Sequence, residues 1–194
     1  MWTFGICYSS DSYINRVINS IRNQKGLHDK NYEIILIGPS IDSIKALENY
    51  NIKNIVFEEC IRPNWVTLKK NLVIQNAKYK NICLMHDYVA LCENWFLGYE
   101  QFGYDWDVCM NPVRLDNGLR HRDWFYEKIP FPNRKLEFIE YKDSSKIRQM
   151  YVNATYYCIN KKFGLKYPLN NNLCWGEAED ADIVTGKQIG RAHV

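Results

Sequence analysis

A chain of 194 residues is long enough to bury one hydrophobic core, and 46% apolar with 24% charged residues is typical of a globular protein rather than a disordered one. The 25 basic and 22 acidic side chains give a net charge of +3. Because the basic residues are scattered, no nucleic-acid-binding surface is predicted, whereas a small anionic substrate suits the charge.

The cysteines and the apolar segments predict the compartment. The seven cysteines include no CxxC pair, and several lie in apolar runs typical of buried strands. This usage predicts reduced thiols and a cytoplasmic location. The N-terminus has no signal-peptide pattern, and no apolar stretch approaches the roughly 20 residues that span a bilayer, so at most peripheral membrane contact is expected.

The first half of the chain alternates strand and helix patterns. Helical spacing or N-terminal capping residues predict helices that begin after Ser9–Ser12, at Ile41 and at Asn64. Strands are predicted at Thr3–Tyr8, Glu33–Ile37, Asn54–Phe57 and in a fourth run that ends at His86–Asp87. This alternation indicates βαβ units and a parallel sheet. Neither GxGxxG nor GxxxxGK[ST] occurs, which disfavours dinucleotide oxidoreduction and P-loop chemistry.

The second half is less regular. An aromatic helix is predicted over Trp95–Phe102, a strand over Val108–Val113, a tight turn at Asp116–Gly118 and a last strand over Ala154–Ile159. Residues 120–150 mix charges, aromatics and prolines and are predicted to form a long irregular excursion. We expect one domain over residues 1–184 and a non-native or disordered tail over 185–194, which is poor in apolar residues.

Two acidic features are candidates for chemistry. Asp87 directly follows the apolar run Ile82–Met85, and an acid at the end of a buried strand lies where α/β sheets bind ligands. Downstream, residues 177–182 contain four acids in six positions, and their mutual repulsion would raise the pKa of at least one, which suits a general base. Asp87 as a turn residue and the cluster as a solvated helix N-terminus remain open alternatives.

In this order, the strand-end Asp87 and the later Glu179–Asp180 pair resemble the GT-A glycosyltransferases, specifically the family 2-like branch of bacterial polysaccharide type. His86–Asp87–Tyr88 stands at the metal-binding DxD position, and Glu179–Asp180 stands at the ED position. The strings Lys69–Lys70–Asn71 and Arg122–Asp123–Trp124 are also similar to those of bacterial members. The resemblance covers nearly the whole chain and implies an α/β, Rossmann-like single domain with a mostly parallel central sheet flanked by helices.

The resemblance implies an inverting transfer of a sugar from a nucleotide-sugar donor, most simply a UDP-sugar, to a saccharide or lipid-linked saccharide acceptor. Residues 1–93 would form the nucleotide-sugar-binding half, and residues 94–184 would form the acceptor and catalytic half. Asp180 would be the general base, Glu179 would orient the acceptor, and Asp87 with His86 would hold Mn²⁺ or Mg²⁺ and the diphosphate.

The remaining implied donor-binding residues are Tyr8, Ser9, Asp11, Ser40, Lys70 and Asn71. Capping of the first helix is an equal alternative for Ser9. Trp175 offers an apolar face to a sugar ring, and Arg120, Arg122, Asp123 and Trp124 lie where an acceptor is expected.

The sequence departs from the family in two places. One carboxylate replaces the usual two at the DxD position, and Gly38–Pro39–Ser40 replaces the usual acid after the second strand. An imidazole suits Mn²⁺ better than Mg²⁺. A catalytically silent domain that binds a nucleotide sugar or a glycan is therefore the alternative function. A nucleotidyltransferase ranks low because the first loop, Tyr8–Asp11, contains no glycine.

Overall fold

The computed structural model describes residues 1–58, 64–121, 123–129, 135–141, 143, 145, 150–174 and 192–193. Within these residues a seven-stranded sheet carries helices on both faces, and a separate three-stranded antiparallel sheet lies in the second half of the chain. The predicted α/β architecture with a mostly parallel central sheet is confirmed.

The elements of the described residues follow the predicted alternation. None of their helices has the length and apolarity to cross a bilayer. The strands are β1 (Trp2–Cys7), β2 (Tyr32–Gly38), β3 (Ile52–Val56), β4 (Asn81–His86), β5 (Val108–Cys109), β6 (Trp124–Ile129), β7 (Lys135–Phe138), β8 (Met150–Val152), β9 (Tyr156–Asn160) and β10 (Ala192–His193). The α-helices are α1 (Ile14–Arg22), α2 (Asp42–Lys45), α3 (Val66–Asn76), α4 (Trp95–Phe102) and α5 (Lys161–Lys166).

The central sheet has the strand order β10-β5-β9-β4-β1-β2-β3. Strand β9 runs antiparallel to both of its neighbours, and the other pairs are parallel. Strands β1 and β4, at the centre, are buried along their whole length. Continuous burial explains why both strands read as unbroken apolar runs rather than as an alternating pattern.

The two faces of β1 meet different helices. On one face Trp2 packs against Trp95 and Tyr99 of α4, with ring centroids 4.7 and 4.8 Å apart. On the other face Gly5 lies under Val73 of α3, where a Cβ atom on Gly5 would stand 2.3 Å from Val73 Cγ1. The glycine therefore sets how closely α3 approaches the sheet.

Helix α1 is the clearest amphipathic helix of the chain, as predicted. Its four apolar residues, Ile14, Val17, Ile18 and Ile21, are buried, and they recur at the spacing of one helix face. Gly26, with φ of +81°, turns the chain after the helix ends. The predicted buried thiols are also confirmed, since Cys7, Cys83, Cys109 and Cys158 are buried and none of them forms a disulfide.

The expected irregular excursion over 120–150 is wrong at Trp124–Ile129, at Lys135–Phe138 and at Met150, which are strand residues. Strands β7, β6 and β8 form an antiparallel sheet there, and Trp124 and Phe125 are buried. Aromatic residues favour strands, and this preference outweighs the neighbouring charges and prolines. Two elements are shorter than predicted. Strand β5 ends at Cys109 rather than Val113, and α2 ends at Lys45, whereas the sequence predicts a helix from Ile41 to Tyr50. Helix α5 was not predicted.

Two glycine substitutions are expected to change stability in opposite directions. Gly5→Ala should lower the free energy of unfolding by about 1–3 kcal/mol, because its Cβ overlaps the stiff Val73 side chain. Gly98→Ala, inside α4, should raise it by about 0.5–1 kcal/mol, because a Cβ there meets nothing within 4 Å and alanine favours the helix. Urea unfolding of both variants checks this pair, and equal effects would contradict the packing of α3 on β1.

Candidate active site

The candidate site lies at the switch point of the central sheet. The chain passes from β1 to β2 on one side, and β4 pairs with β1 on the other side. Loops that leave β1 and β4 in opposite directions open a crevice at the carboxyl ends of these strands, where α/β proteins bind ligands. The sequence places Tyr8–Asp11 after β1 and Asp87–Tyr88 after β4.

Asp87 is fixed across this crevice. Its backbone N–H donates to the carbonyl oxygen of Cys7 at 3.1 Å, and its Oδ2 accepts a hydrogen bond from the backbone N–H of Ser9 at 3.0 Å. The side chain is 8% exposed. Within the described part of the chain, Oδ1 has no hydrogen-bond partner. The arrangement presents one oriented carboxylate oxygen at the switch point.

His86 lies beside Asp87 as a buried, neutral imidazole. Burial, and then the charges of Lys70 and Lys69, lower its pKa from 6.5 to about 3. Its Nδ1 lies 3.2 Å from the Tyr88 hydroxyl. Its Nε2 is buried without a hydrogen-bond partner among the described residues. A buried nitrogen in that state is a candidate ligand atom.

Lysines 69 and 70 are buried on α3, although lysine is rarely buried. The Lys70 ammonium donates to the carbonyl oxygen of Ala154 and lies 5.0 Å from the Tyr157 ring centroid. The Lys69 ammonium lies 5.7 Å from the centroid of Phe57. Both charges lower the pKa of His86, so two ammonium groups lie near this imidazole.

Asn71, which is predicted to bind the donor, forms hydrogen bonds with Leu169 and Asn171. Its amide donates to Leu169 O at 2.9 Å and to Asn171 Oδ1 at 2.7 Å, and its Oδ1 accepts from Leu169 N–H at 2.9 Å. These bonds anchor residues 169–171 to α3. The donor-binding role of Asn71 stays a prediction. These contacts favour a role in which Asn71 positions residues 169–171.

Tyr8 supports the loop that follows β2. Its side chain is 1% exposed, and its hydroxyl lies 2.8 Å from Pro39 O and 3.1 Å from Asn54 Oδ1. A Cβ on Gly38 would stand 2.8 Å from the Tyr8 ring, so glycine is needed for this packing. Ser40 is exposed at the end of the supported loop. Tyr8 therefore positions the loop that carries Ser40.

Asp11 and Ser9 connect the loop after β1 to its surroundings. The Asp11 side chain accepts a hydrogen bond from the Ser43 hydroxyl at 2.6 Å, which links this loop to α2. Helix α1 has Tyr13 at its N-cap and no capping bond from a side chain. Capping by Ser9, the open alternative, is therefore not what the structure shows.

Arg120, Asp123 and Trp124, expected near an acceptor, form a buried network. Asp123 is fully buried and accepts from Arg120 Nε and from Tyr141 Oη, at 2.5 and 2.7 Å. Arg120 Nη2 also donates to Ile139 O at 2.7 Å. This network ties β6 to the segment after β7. Contact with an acceptor stays a prediction for these residues.

A cavity of about 620 Å³ adjoins the site, and we call it the Tyr88 cavity. It lies between α1, α4, the segment after β4 and the turn after β5. Its walls include Tyr88, Trp95, Gly98, Asn111, Arg114 and Tyr156. Sequence reasoning missed this cavity, although a glycine inside the aromatic helix α4 was a usable signal.

Several predicted residues lie outside the described residues. They are Glu179 and Asp180, the expected catalytic pair, together with Trp175 and Arg122. Of the predicted tail over 185–194, only Ala192 and His193 are described, and they pair with β5.

The described residues fit a divalent cation only in part. No group of three His, Cys, Asp or Glu side chains among them is placed to hold a metal ion. Asp87 Oδ1 and the neutral His86 imidazole offer two ligand atoms of the right chemistry. Divalent cations in nucleotide sites are commonly held by one or two carboxylates, with phosphate oxygens and water completing the shell. Asp87 and His86 would therefore supply only part of the shell of a cation, and a diphosphate and water would have to supply the rest.

The chain is similar to known proteins in structure, but its sequence matches no family. No family profile and no curated protein matches the sequence. The fold is similar to that of S. aureus TarS 1-349, with a TM-score of 0.66, 12% identity, and coverage of 98% of this chain and 56% of TarS. The chain thus spans about half the length of that TarS chain. TarS 1-349 in complex with UDP gives a TM-score of 0.64 at 14% identity, over 95% of this chain and 54% of TarS.

A third similar structure is 4-diphosphocytidyl-2C-methyl-D-erythritol synthase from Anaerococcus prevotii. Its TM-score is 0.55 at 11% identity, over 100% of this chain and 87% of the synthase. Identities this low establish the fold alone. The α/β arrangement of a mostly parallel sheet flanked by helices, as in TarS, is therefore confirmed as GT-A-like.

The neutral state of His86 predicts a pH dependence of stability. Below pH 6.5 an unfolded His86 binds a proton that the folded imidazole, with its pKa of about 3, does not. Stability should therefore fall as the pH falls through this window, with a contribution of up to about 1.4 kcal/mol per pH unit. His86→Asn, which keeps a polar partner for Tyr88, should lack this contribution.

Urea unfolding of both proteins between about pH 4 and pH 7 measures the effect. Parallel stability curves for the wild type and His86→Asn would show that the folded imidazole is protonated normally.

Proposed function

We propose that this chain is a glycosyltransferase that moves a sugar from a nucleotide-sugar donor to a saccharide or lipid-linked saccharide. The observation that supports the proposal is Asp87 at the switch point, with one oxygen held by Ser9 N–H and the other without a hydrogen-bond partner among the described residues. A carboxylate so placed can bind a cation and a diphosphate together, which is how nucleotide sugars are commonly held.

The donor that we propose is a UDP-sugar. TarS, which shares the fold, has been crystallised with UDP and with UDP-GlcNAc. Positive charge from the buried Lys69 and Lys70 at the same edge supports a diphosphate there. This chain spans about half the length of TarS 1-349. That it has the activity of a full-length glycosyltransferase is therefore part of the proposal.

The residues around the crevice have separate roles in this proposal. Asp87 and His86 would hold a divalent cation, which supplies charge neutralisation for the departing nucleoside diphosphate. Lys69 and Lys70 stabilise the same developing negative charge through their field. Tyr8 and Asp11 hold the loops that carry Ser9, Ser40 and α2 in place. Asn71 holds residues 169–171 against α3.

Inversion at the anomeric carbon requires a base on the face opposite the leaving group. We assign this role to Asp180, with Glu179 orienting the acceptor. Asp180 takes the proton of the acceptor hydroxyl while the hydroxyl oxygen bonds to the anomeric carbon. The bond from that carbon to the diphosphate oxygen breaks, and UDP leaves with the electron pair. A positioned base of this kind contributes on the order of 10²–10⁴ in rate.

Two aspartate substitutions separate donor binding from chemistry. With UDP-GlcNAc and Mn²⁺, Asp87→Asn should abolish the rise in melting temperature that the donor causes, because the carboxylate that anchors it is gone. Asp180→Asn should keep that rise and lose donor turnover by about 10²-fold or more. Thermal-shift and UDP-release assays measure the two effects.

Glu93→Gln is the matched control, because it removes an exposed acid that pairs only with Lys25 among the described residues. It should behave as the wild type in both assays. A donor-induced shift that survives Asp87→Asn unchanged would contradict the proposed anchor.

Two alternatives predict different products. A silent binding domain, which the single carboxylate at the DxD position favours, would bind UDP-GlcNAc without releasing UDP. A nucleotidyltransferase would release pyrophosphate when it joins a nucleoside triphosphate to a sugar phosphate. The similarity to the fold of 4-diphosphocytidyl-2C-methyl-D-erythritol synthase favours this alternative. We expect UDP release with sugar transfer or hydrolysis, and pyrophosphate release would overturn this. The predicted cytoplasmic location and peripheral membrane contact stay predictions.

A further inference from the structure

The Tyr88 cavity contains a helix-interior glycine with nothing packed on it. Gly98 lines the cavity, and a Cβ atom built on it would meet no atom within 4 Å. The other glycines in regular elements are needed for close packing, since a Cβ on Gly164 of α5 would lie 3.1 Å from Ile74 Cγ2. Glycine inside a helix costs about 0.5–1 kcal/mol relative to alanine. Gly98 is exposed, so a side chain there would extend into open space along the cavity wall.

The inner wall of the cavity contains aromatic side chains joined by hydrogen bonds. Trp95 Nε1–H donates to the Tyr156 hydroxyl at 2.6 Å, and that hydroxyl donates to Asn111 Oδ1 at 2.5 Å. The chain of bonds leaves the Asn111 Nδ2 group without a partner among the described residues. An aromatic wall with fixed amide and hydroxyl groups is suited to a ligand that combines apolar ring faces with hydroxyls.

The outer rim of the cavity is basic. Arg16 forms an exposed ion pair with Asp116 at 3.3 Å. Arg114 uses Nη1 to bond Gly118 O at 2.9 Å, and its other N–H groups have no partner within the described part of the chain. One arginine is therefore left to face a ligand, and its planar N–H groups match a carboxylate or a phosphate.

The cavity is also in the right place for the second substrate of the proposed reaction. Tyr88 lines the cavity and follows Asp87 directly in the chain. Thr155 and Tyr156 are also in the lining. Tyr156 begins β9, which pairs with β4, and Thr155 directly precedes that strand. A ligand in the cavity would therefore lie beside the proposed donor site, and a volume of 620 Å³ is within the usual range of small-molecule sites.

We propose that the Tyr88 cavity is the acceptor site and that its ligand is a saccharide carrying an acidic group, bound through Arg114. That the ligand is an acceptor rests on the proposed glycosyltransferase function. The binding of an acidic saccharide to the cavity stands on the cavity's own residues.

The decisive variant is Gly98→Leu, which places a bulky side chain along the cavity wall from a helix position that has room for it. Binding of methyl glucuronide, glucose 6-phosphate and methyl glucoside is measured by protein-observed NMR titration, following the Trp95 indole N–H. We expect the tighter of the two acidic probes to bind the wild type at least about tenfold more tightly than methyl glucoside, and to lose at least about tenfold in Gly98→Leu.

Gln101→Leu is the matched control, because it adds the same side chain at an exposed position of α4 outside the lining. It should bind the acidic probe as the wild type does, and urea unfolding verifies that Gly98→Leu is folded. Unchanged binding of the acidic probe in Gly98→Leu, or no binding in the wild type, would overturn the cavity as the site.

Arg114→Gln tests the acidic group. It should reduce the affinity for the acidic probe to that for methyl glucoside and leave the affinity for methyl glucoside unchanged within about twofold. Equal wild-type affinities for acidic and neutral probes would overturn the anionic part of the proposal. A separate titration with UDP-GlcNAc distinguishes the two proposals. Failure to bind UDP-GlcNAc would contradict the glycosyltransferase function and would leave the binding of the acidic saccharide to the cavity unaffected.

Discussion

The pairing of β1 with β4 is the constraint on which the candidate site depends. Both strands are buried throughout, and their parallel register brings Cys7 opposite His86. The residues that follow, Ser9 and Asp87, then meet through a backbone N–H and a carboxylate oxygen. A strand order that separated β1 from β4 would leave Asp87 as an ordinary turn residue. The chemistry proposed here is thus a consequence of sheet topology.

Buried positive charge is the second property of this edge. Lysine is seldom buried, because desolvation penalises the ammonium. Here the Lys70 ammonium bonds Ala154 O and stands over the Tyr157 ring. Burial, and then the charges of Lys70 and Lys69, lower the pKa of His86 and keep it neutral. Charges held in place before a ligand arrives need little reorganisation when a diphosphate binds, and low dielectric strengthens their effect.

Several residues that are predicted to contact substrate also form hydrogen bonds within the protein. Tyr8 is enclosed beneath the loop of Gly38 and Pro39, and Asn71 is fully bonded to residues 169–171. Asp123 is fully buried in a network with Arg120 and Tyr141. A polar side chain that is close to a site in sequence can still point into the protein. A buried polar group without a hydrogen bond is costly, so such a side chain bonds to other protein groups.

The sequence by itself determined the alternation of strands and helices in residues 1–102 and the location of Asp87 at a strand end, because those features depend on local apolar periodicity and on where an apolar run stops. It did not determine the second sheet, where β6 finds its partners β7 and β8 and aromatic residues decide the outcome. Only the tertiary structure brought Ser9 to Asp87, closed Tyr8 and Asn71 into supporting contacts, and opened the cavity in front of Gly98. Contacts between segments far apart in the chain depend on strand order and packing, and neither is encoded in any single stretch of sequence.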